Sequence, residues 1–282
     1  MLWIVDNLHL EPEASMASVN PLLARWQAGQ PTLGGWLTTA DPQVAEYLAT
    51  VGFDEICVDQ QHGLADGTTL AAVFRALELH GVAPTTRVPA NDFSAIGKAL
   101  DVGATAIIVP MVGTPEEAAA AAAACHYPPR GDRSVGPLRG AFVRASDRLD
   151  ALDQAACVVM IETAEGVRNA DAIAATPGVD AIYIGPGDLA LGLGLSAWSE
   201  DWTPDEAKVH AEAIVRIREA CLRHGVAPGI HTGDGGVARG YLEQGFLMVT
   251  VISELGLIIG AGKDHLATAR GGVAPAEAPA PV

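Results

Sequence analysis

The chain has 282 residues, 49% hydrophobic and 18% charged, with a formal net charge of −17. So large an acidic excess excludes the basic footprint that nucleic acid or an anionic membrane surface requires, and no apolar run is long enough to cross a bilayer. The length suits one large α/β domain or two small ones.

In chain order, "MLWIVDNLHLEPE" has no basic segment and turns acidic at once, so no signal peptide is expected. Residues 1–30 read as an N-terminal segment ahead of the folded body. Short Val/Ile-rich runs then alternate with longer Ala/Leu/Glu-rich segments: "TLGGWLT", "EICVD", "APTTRV", "AIIVPMV", "CVVMIET", "AIYIGPGD", "APGIH" and "FLMVTVIS". Eight apolar runs, most followed by a stretch long enough for a crossover helix, predict a parallel sheet covered by helices. That count in about 250 residues predicts a single-domain (β/α)8 TIM barrel over residues 31–268. The rival is an open doubly wound sheet, but the Rossmann form would place GxGxxG after the first strand, and that motif is missing there. Helix starts are marked by "TPEE" (Thr114, Pro115, Glu117), "TPDE" (Thr203, Pro204, Glu206) and "DP" (Asp41, Pro42). Residues 269–282 read as an Ala/Pro-rich disordered tail. Cys57, Cys125, Cys157 and Cys221 show no CxxC spacing, which predicts buried free thiols in a reducing cytoplasm.

In such a barrel, catalytic groups come from the C-terminal ends of several strands. Those ends carry Asp59 with His62 just beyond, Arg87, Glu162, Asp188 and His231. Each has a plain alternative: Asp59 and His62 as loop residues, Arg87 in an ion pair, Asp188 as a helix cap. Glu162 and Asp188 fall on adjacent strands, where two like charges repel unless a cation lies between them. Two carboxylates with positions left for substrate oxygens suit Mg²⁺, and equally Mn²⁺ or Co²⁺. A glycosidase-type carboxylate pair is the alternative, weakened by an aromatic content of 5%. In "GPGD" the backbone at Gly185 and Gly187 can turn sharply or approach a ligand, and N–H groups at a helix start near Asp188 would suit a carboxylate. Lys98, Lys208 and Lys263 all lie in helix-like or terminal segments, which disfavours Schiff-base chemistry.

Taken together and in order, "AEYLATVGFDEICVDQQHG", "TTRVPAND", "ALDVGATAIIVPMVGTPEEA", "HYPPRGDRSVG", "MIETAEGVRNADAIAATPGVDAIYIGPGDLALGLG" and "GVAPGIHTG" resemble the HpcH/HpaI aldolases, metal-dependent class II pyruvate aldolases. The resemblance spans about Leu33 to Ile259. It implies a (β/α)8 barrel assembled as a hexamer, a trimer of dimers with an exchanged last helix. It implies cleavage of a 4-hydroxy-2-oxo acid to pyruvate (or hydroxypyruvate) and an aldehyde. By motif, Glu162 and Asp188 correspond to the metal ligands, and Arg87 to the arginine that holds the keto oxygen. His62, with Asp59 orienting its ring, corresponds to a dyad that activates water. The N–H groups of Gly187 and Asp188 would take the oxo-acid carboxylate, and Asp101 falls at a subunit contact near the aldehyde end. Gln61 stands where many members have Glu, Met160 where many have Gln, and Ser253 where many have Asp; these bear on substrate more than on reaction type, and Gln61 is placed with the substrate-binding residues. The alternatives are a malyl- or citramalyl-CoA-type lyase, for which 17 basic residues against 34 acids leave little to hold CoA phosphates, and a catalytically silent barrel.

Overall fold

The computed structural model describes residues 20–137, 139–143, 149–197 and 199–271. Helix α1 (Pro21–Gln27) leads into eight strands: β1 (Thr32–Leu37), β2 (Glu55–Asp59), β3 (Ala83–Arg87), β4 (Ala106–Val109), β5 (Ala156–Ile161), β6 (Ala181–Ile184), β7 (Ala227–His231) and β8 (Met248–Ser253). Each pairs in parallel with the next, and β8 pairs with β1, which closes the predicted barrel. The crossovers carry α2 (Pro42–Ala49), α3 (Gly67–Leu79), α4 (Phe93–Val102), α5 (Pro115–Cys125), the short α6 (Gly140–Val143) and α7 (Leu149–Leu152), α8 (Ala164–Ala174), α9 (Pro186–Gly192), α10 (Pro204–His224) and α11 (Gly235–Glu243); α12 (Glu254–Arg270) follows β8.

Strand periodicity divides the core in two. Side chains of alternate strand residues fill the interior, including Cys57, Ile108, Val158 and Tyr183, while Ile56, Val58, Ile107, Val159 and Ile182 face the helices. Asp and Thr side chains cap the helices that leave the strands: Asp41, Asp66, Asp92, Thr114, Thr163, Thr203 and Asp234 each accept a first-turn N–H. Each cap contributes about 1 kcal/mol and fixes where the chain turns. The capping boxes at Thr114/Glu117 and Thr203/Glu206 form as predicted. All four cysteines are free and buried. Among the described residues no helix is long and apolar enough to span a membrane.

Two boundaries differ from the sequence reading. The packed body already includes residues 20–27, because α1 packs Leu22 and Trp26 into the barrel floor and Asn20 bonds the Thr105 and Gln154 carbonyls. At the other end α12 continues to Arg270; the expected tail lies, from residue 272, outside the described residues, as do residues 1–19.

The floor holds a buried acid. The Trp26 indole donates to the Thr32 hydroxyl (3.1 Å), which donates to Glu55 Oε1 (3.2 Å). Burial pushes the Glu55 carboxyl up to about 7, against the Thr32 hydrogen bond. The unfolded chain therefore ionises Glu55 first, so its contribution to stability is complete below an ordinary pKa of 4.5 and is lost as pH rises through about 7. Glu55→Gln should remove this slope. Between about pH 5 and about pH 8 the parent should lose about 2 kcal/mol relative to the variant, read by urea unfolding; parallel pH profiles would contradict the assignment.

Candidate active site

Side chains at the last inward positions of the strands meet at the C-terminal mouth. They enclose a cavity of about 210 Å³ lined by Trp36, His62, Arg87, Met160, Tyr183, His231 and the turn Gly185–Asp188. Asp59 and Arg87 are register partners on β2 and β3. Arg87 Nε and Nη2 donate to the two Asp59 oxygens at 3.0 and 2.6 Å, and its guanidinium lies 5.1 Å from the Trp36 ring centre. Both side chains of the pair are nearly inaccessible. Nη1 has no protein partner among the described residues.

This pairing revises the predicted dyad. Burial opposes charge on Asp59, but the Arg87 hydrogen bond and charge, with the N–H groups of His62 and Gln61, outweigh it and hold the carboxyl below the usual range. Asp59 Oδ1 accepts the backbone N–H of Gln61 (2.9 Å) and of His62 (3.3 Å). It therefore shapes the turn that carries the imidazole and clamps Arg87, rather than bonding the His62 ring. Gly63 completes the turn: a Cβ there would collide with the Asp59 carbonyl and lie 2.8 Å from that of Thr38. His62 is exposed at the rim of the cavity.

Glu162, just beyond β5, is 1% exposed. Its Oε1 accepts the Met111 N–H at 2.8 Å, and Met111 holds a left-handed φ of 59° to deliver it. Backbone of that kind in a non-glycine residue persists where surrounding contacts impose it. Oε2 is buried without a partner. A Cβ at Gly185 would sit 2.5 Å from that oxygen, so glycine there keeps the space open. Burial raises the Glu162 carboxyl above its usual range; the Met111 N–H opposes this, the Asp188 charge adds to it and Arg87 opposes it. An orphaned carboxylate oxygen and a second, exposed carboxylate at Asp188 fit a divalent cation, which would neutralise both. Among the described residues no cluster of three or more His, Cys, Asp or Glu could hold a metal, so the cation would complete its shell with substrate and water.

Asp188 lies in the first turn of α9. The first helical bond runs from the Leu189 N–H to the Gly185 carbonyl (2.9 Å), which leaves the N–H groups of Gly187 and Asp188 free of the helix. His210 on α10 bonds the Pro186 carbonyl at 2.9 Å and packs against Trp202, fixing this turn from behind.

Two predicted residues stand apart. Gln61 does not line the cavity; its Oε1 is buried without a partner. Asp101 is in the last turn of α4, at the opposite end of the barrel from the mouth of its own chain, paired with Arg133 at 3.1 Å. Trp36, Met160 and Tyr183 also line the cavity, as does His231, a strand-end residue to which the sequence assigns no role. Their signal was parity: Trp36, Asp59, Arg87, Tyr183 and His231 all share the inward register of their strands.

Residues 32–261 match the family model described as HpcH/HpaI aldolase/citrate lyase. The chain belongs to this family. A hydroxypyruvate/pyruvate aldolase of Rhizorhabdus wittichii is 40% identical over 253 residues, covering 89% of this chain and 99% of that protein. A 2-dehydro-3,6-dideoxy-6-sulfogluconate aldolase of Pseudomonas putida is 35% identical, covering 86% of this chain and 94% of that one. A solved HpcH/HpaI aldolase/citrate lyase family protein from Burkholderia cenocepacia superposes with a TM-score of 0.82 at 34% identity, covering 89% of this chain and all of that one.

Proposed function

We propose that this HpcH/HpaI family member is a divalent-metal-dependent aldolase that reversibly cleaves a 4-hydroxy-2-oxo acid to pyruvate or hydroxypyruvate and an aldehyde. As a member with aldolase relatives at 35–40% identity over most of its length, it is a carbon–carbon lyase. The observation that carries the mechanism is the orphaned Glu162 Oε2, buried directly behind Gly185 in the cavity wall that also carries Asp188 and the clamped Arg87.

Glu162 and Asp188 would hold Mg²⁺, Mn²⁺ or Co²⁺, whose Lewis acidity acts on the oxygens of the 2-oxo acid. The free N–H groups of Gly187 and Asp188 receive the carboxylate. Arg87 Nη1 faces the keto oxygen. In cleavage, the 4-hydroxyl gives its proton, through a water, to His62, the C3–C4 bond breaks, and the aldehyde departs. Negative charge then gathers on the enolate oxygen beside Arg87, whose orientation Asp59 and Trp36 have already fixed. A proton delivered to C3 completes pyruvate. Addition is the reverse.

The assay is pyruvate release from 4-hydroxy-2-oxo acids in the presence of Mg²⁺ or Mn²⁺, with a malyl-CoA-type ester in parallel. Release from the free acid alone is expected; cleavage of the CoA ester alone would replace this reading. The four buried free thiols fit a cytoplasmic location.

A hexamer, arranged as a trimer of dimers, is the assembly we propose. Helix α12 supports association: Leu255, Ile258, Ile259 and Leu266 are 42%, 59%, 51% and 49% exposed, and Glu254 is the one residue of the helix that is buried. Such a face is covered when a second copy supplies the missing layer. Light scattering should give the mass of six protomers, and the double variant Leu255→Ser, Ile259→Ser should give smaller species; a monomeric parent would end the proposal.

A further inference from the structure

The proposed reaction uses Arg87, His62, Glu162, Asp188 and the N–H groups of the α9 turn, yet one polar side chain on the cavity wall is left over. His231 ends β7 with its ring turned inward. Its Nδ1 lies 3.4 Å from the Tyr183 hydroxyl, which is itself 2.5 Å from Thr250 Oγ1. The edge of the ring meets Trp36 at 4.8 Å between centres, with an interplanar angle of 87°. The imidazole is thus oriented from two sides, and its Nε2 has no protein partner among the described residues.

Burial, and then the Arg87 charge, push the ring down to about 4 against the pull of Asp59, so near neutrality it carries no charge. A fixed, neutral imidazole makes a poor counterpart for a carboxylate, which the N–H groups of the α9 turn already serve. It makes a good one for a hydroxyl, with which it exchanges one hydrogen bond whichever tautomer is present. Trp36 and Met160 beside it offer mainly apolar surface.

On the aldolase reading above, on which this inference rests, carboxylate and keto oxygens of the donor are accounted for, and a hydroxyl on C3 is the remaining polar atom. We infer that His231 is a specificity-determining residue that favours a 3-hydroxy-2-oxo acid, hydroxypyruvate, over pyruvate as the nucleophilic donor. A site built to hydrogen-bond a substrate hydroxyl discriminates against the analogue that lacks it, because its own polar group is then left unpaired.

The test is the ratio of kcat/KM for hydroxypyruvate to that for pyruvate, with one aldehyde lacking further hydroxyls and Mn²⁺ present. In His231→Phe the ratio should fall about tenfold or more, whichever way the pyruvate rate moves. In His231→Asn, which keeps a hydrogen-bonding group, it should fall less. An unchanged ratio in folded His231→Phe overturns the inference. So does a change confined to the choice between plain and 2-hydroxylated aldehydes, which would place the hydroxyl on the acceptor. Should His231→Phe fail to fold, Tyr183→Phe decides: a lowered ratio supports the role, and an unaltered one refutes it. Parent enzyme that turns over neither donor with metal would instead refute the aldolase reading.

Discussion

Arg87→Ala is expected to lower kcat for aldol cleavage by about 10²- to 10³-fold, the range for removing one preorganised donor to a developing oxyanion. It should also destabilise the barrel by about 3–5 kcal/mol, because it strands the Asp59 carboxylate in the barrel mouth without its partner. The two effects have one structural origin. Arg87 gives Nε and Nη2 to Asp59, and in the proposed reaction Nη1 serves the substrate. Arg87→Lys should recover part of the stability and little of the rate, since a single ammonium cannot serve the carboxylate on two sides and also face a ligand. Chemical denaturation and steady-state pyruvate release check the pair. A variant with normal kcat would remove Arg87 from oxyanion stabilisation.

His62→Ala should reduce kcat by about 10²- to 10⁴-fold, the range for losing a positioned general base, with little loss of stability because the ring is exposed at the rim. Asp59→Asn separates two accounts of the pair. If Asp59 served the imidazole, it would mimic His62→Ala. With its oxygens committed to Arg87 and to the backbone of the turn, it should instead resemble the arginine variant, losing stability and oxyanion binding together. A stable Asp59→Asn protein whose defect matches that of His62→Ala would restore the simple dyad.

The barrel was legible because its grammar is local: apolar runs of strand length, capped helix starts and a count of eight. The polar residues at the strand ends followed from topology alone, and their meeting at one mouth is what parallel strands impose. Contacts between neighbouring strands were less legible. "VDQQHG" places Asp59 three residues from His62, but the register of β2 against β3 puts Arg87 directly beside it, and a bidentate guanidinium takes the carboxylate. Trp36 was hidden in a glycine-rich run that reads as a plain strand, and its role as a platform for Arg87 and an edge for His231 appears once β1 closes on β8. Gln61, singled out for its departure from relatives, lies off the cavity wall, whereas Met160, the second departure, lines it. Asp101 falls in the last turn of α4, away from the mouth, because a helix that leaves a strand's C-terminal end runs back toward the opposite end of the barrel.

The proposed aldol reaction requires a divalent cation held by Glu162 and Asp188. The most direct measurement is pyruvate release by EDTA-treated enzyme titrated with Mn²⁺, for the parent and for Glu162→Gln and Asp188→Ala. The parent should fall to background in EDTA and recover with the metal, while neither variant should recover. Undiminished turnover in EDTA, or full metal-dependent recovery in Glu162→Gln, would contradict it.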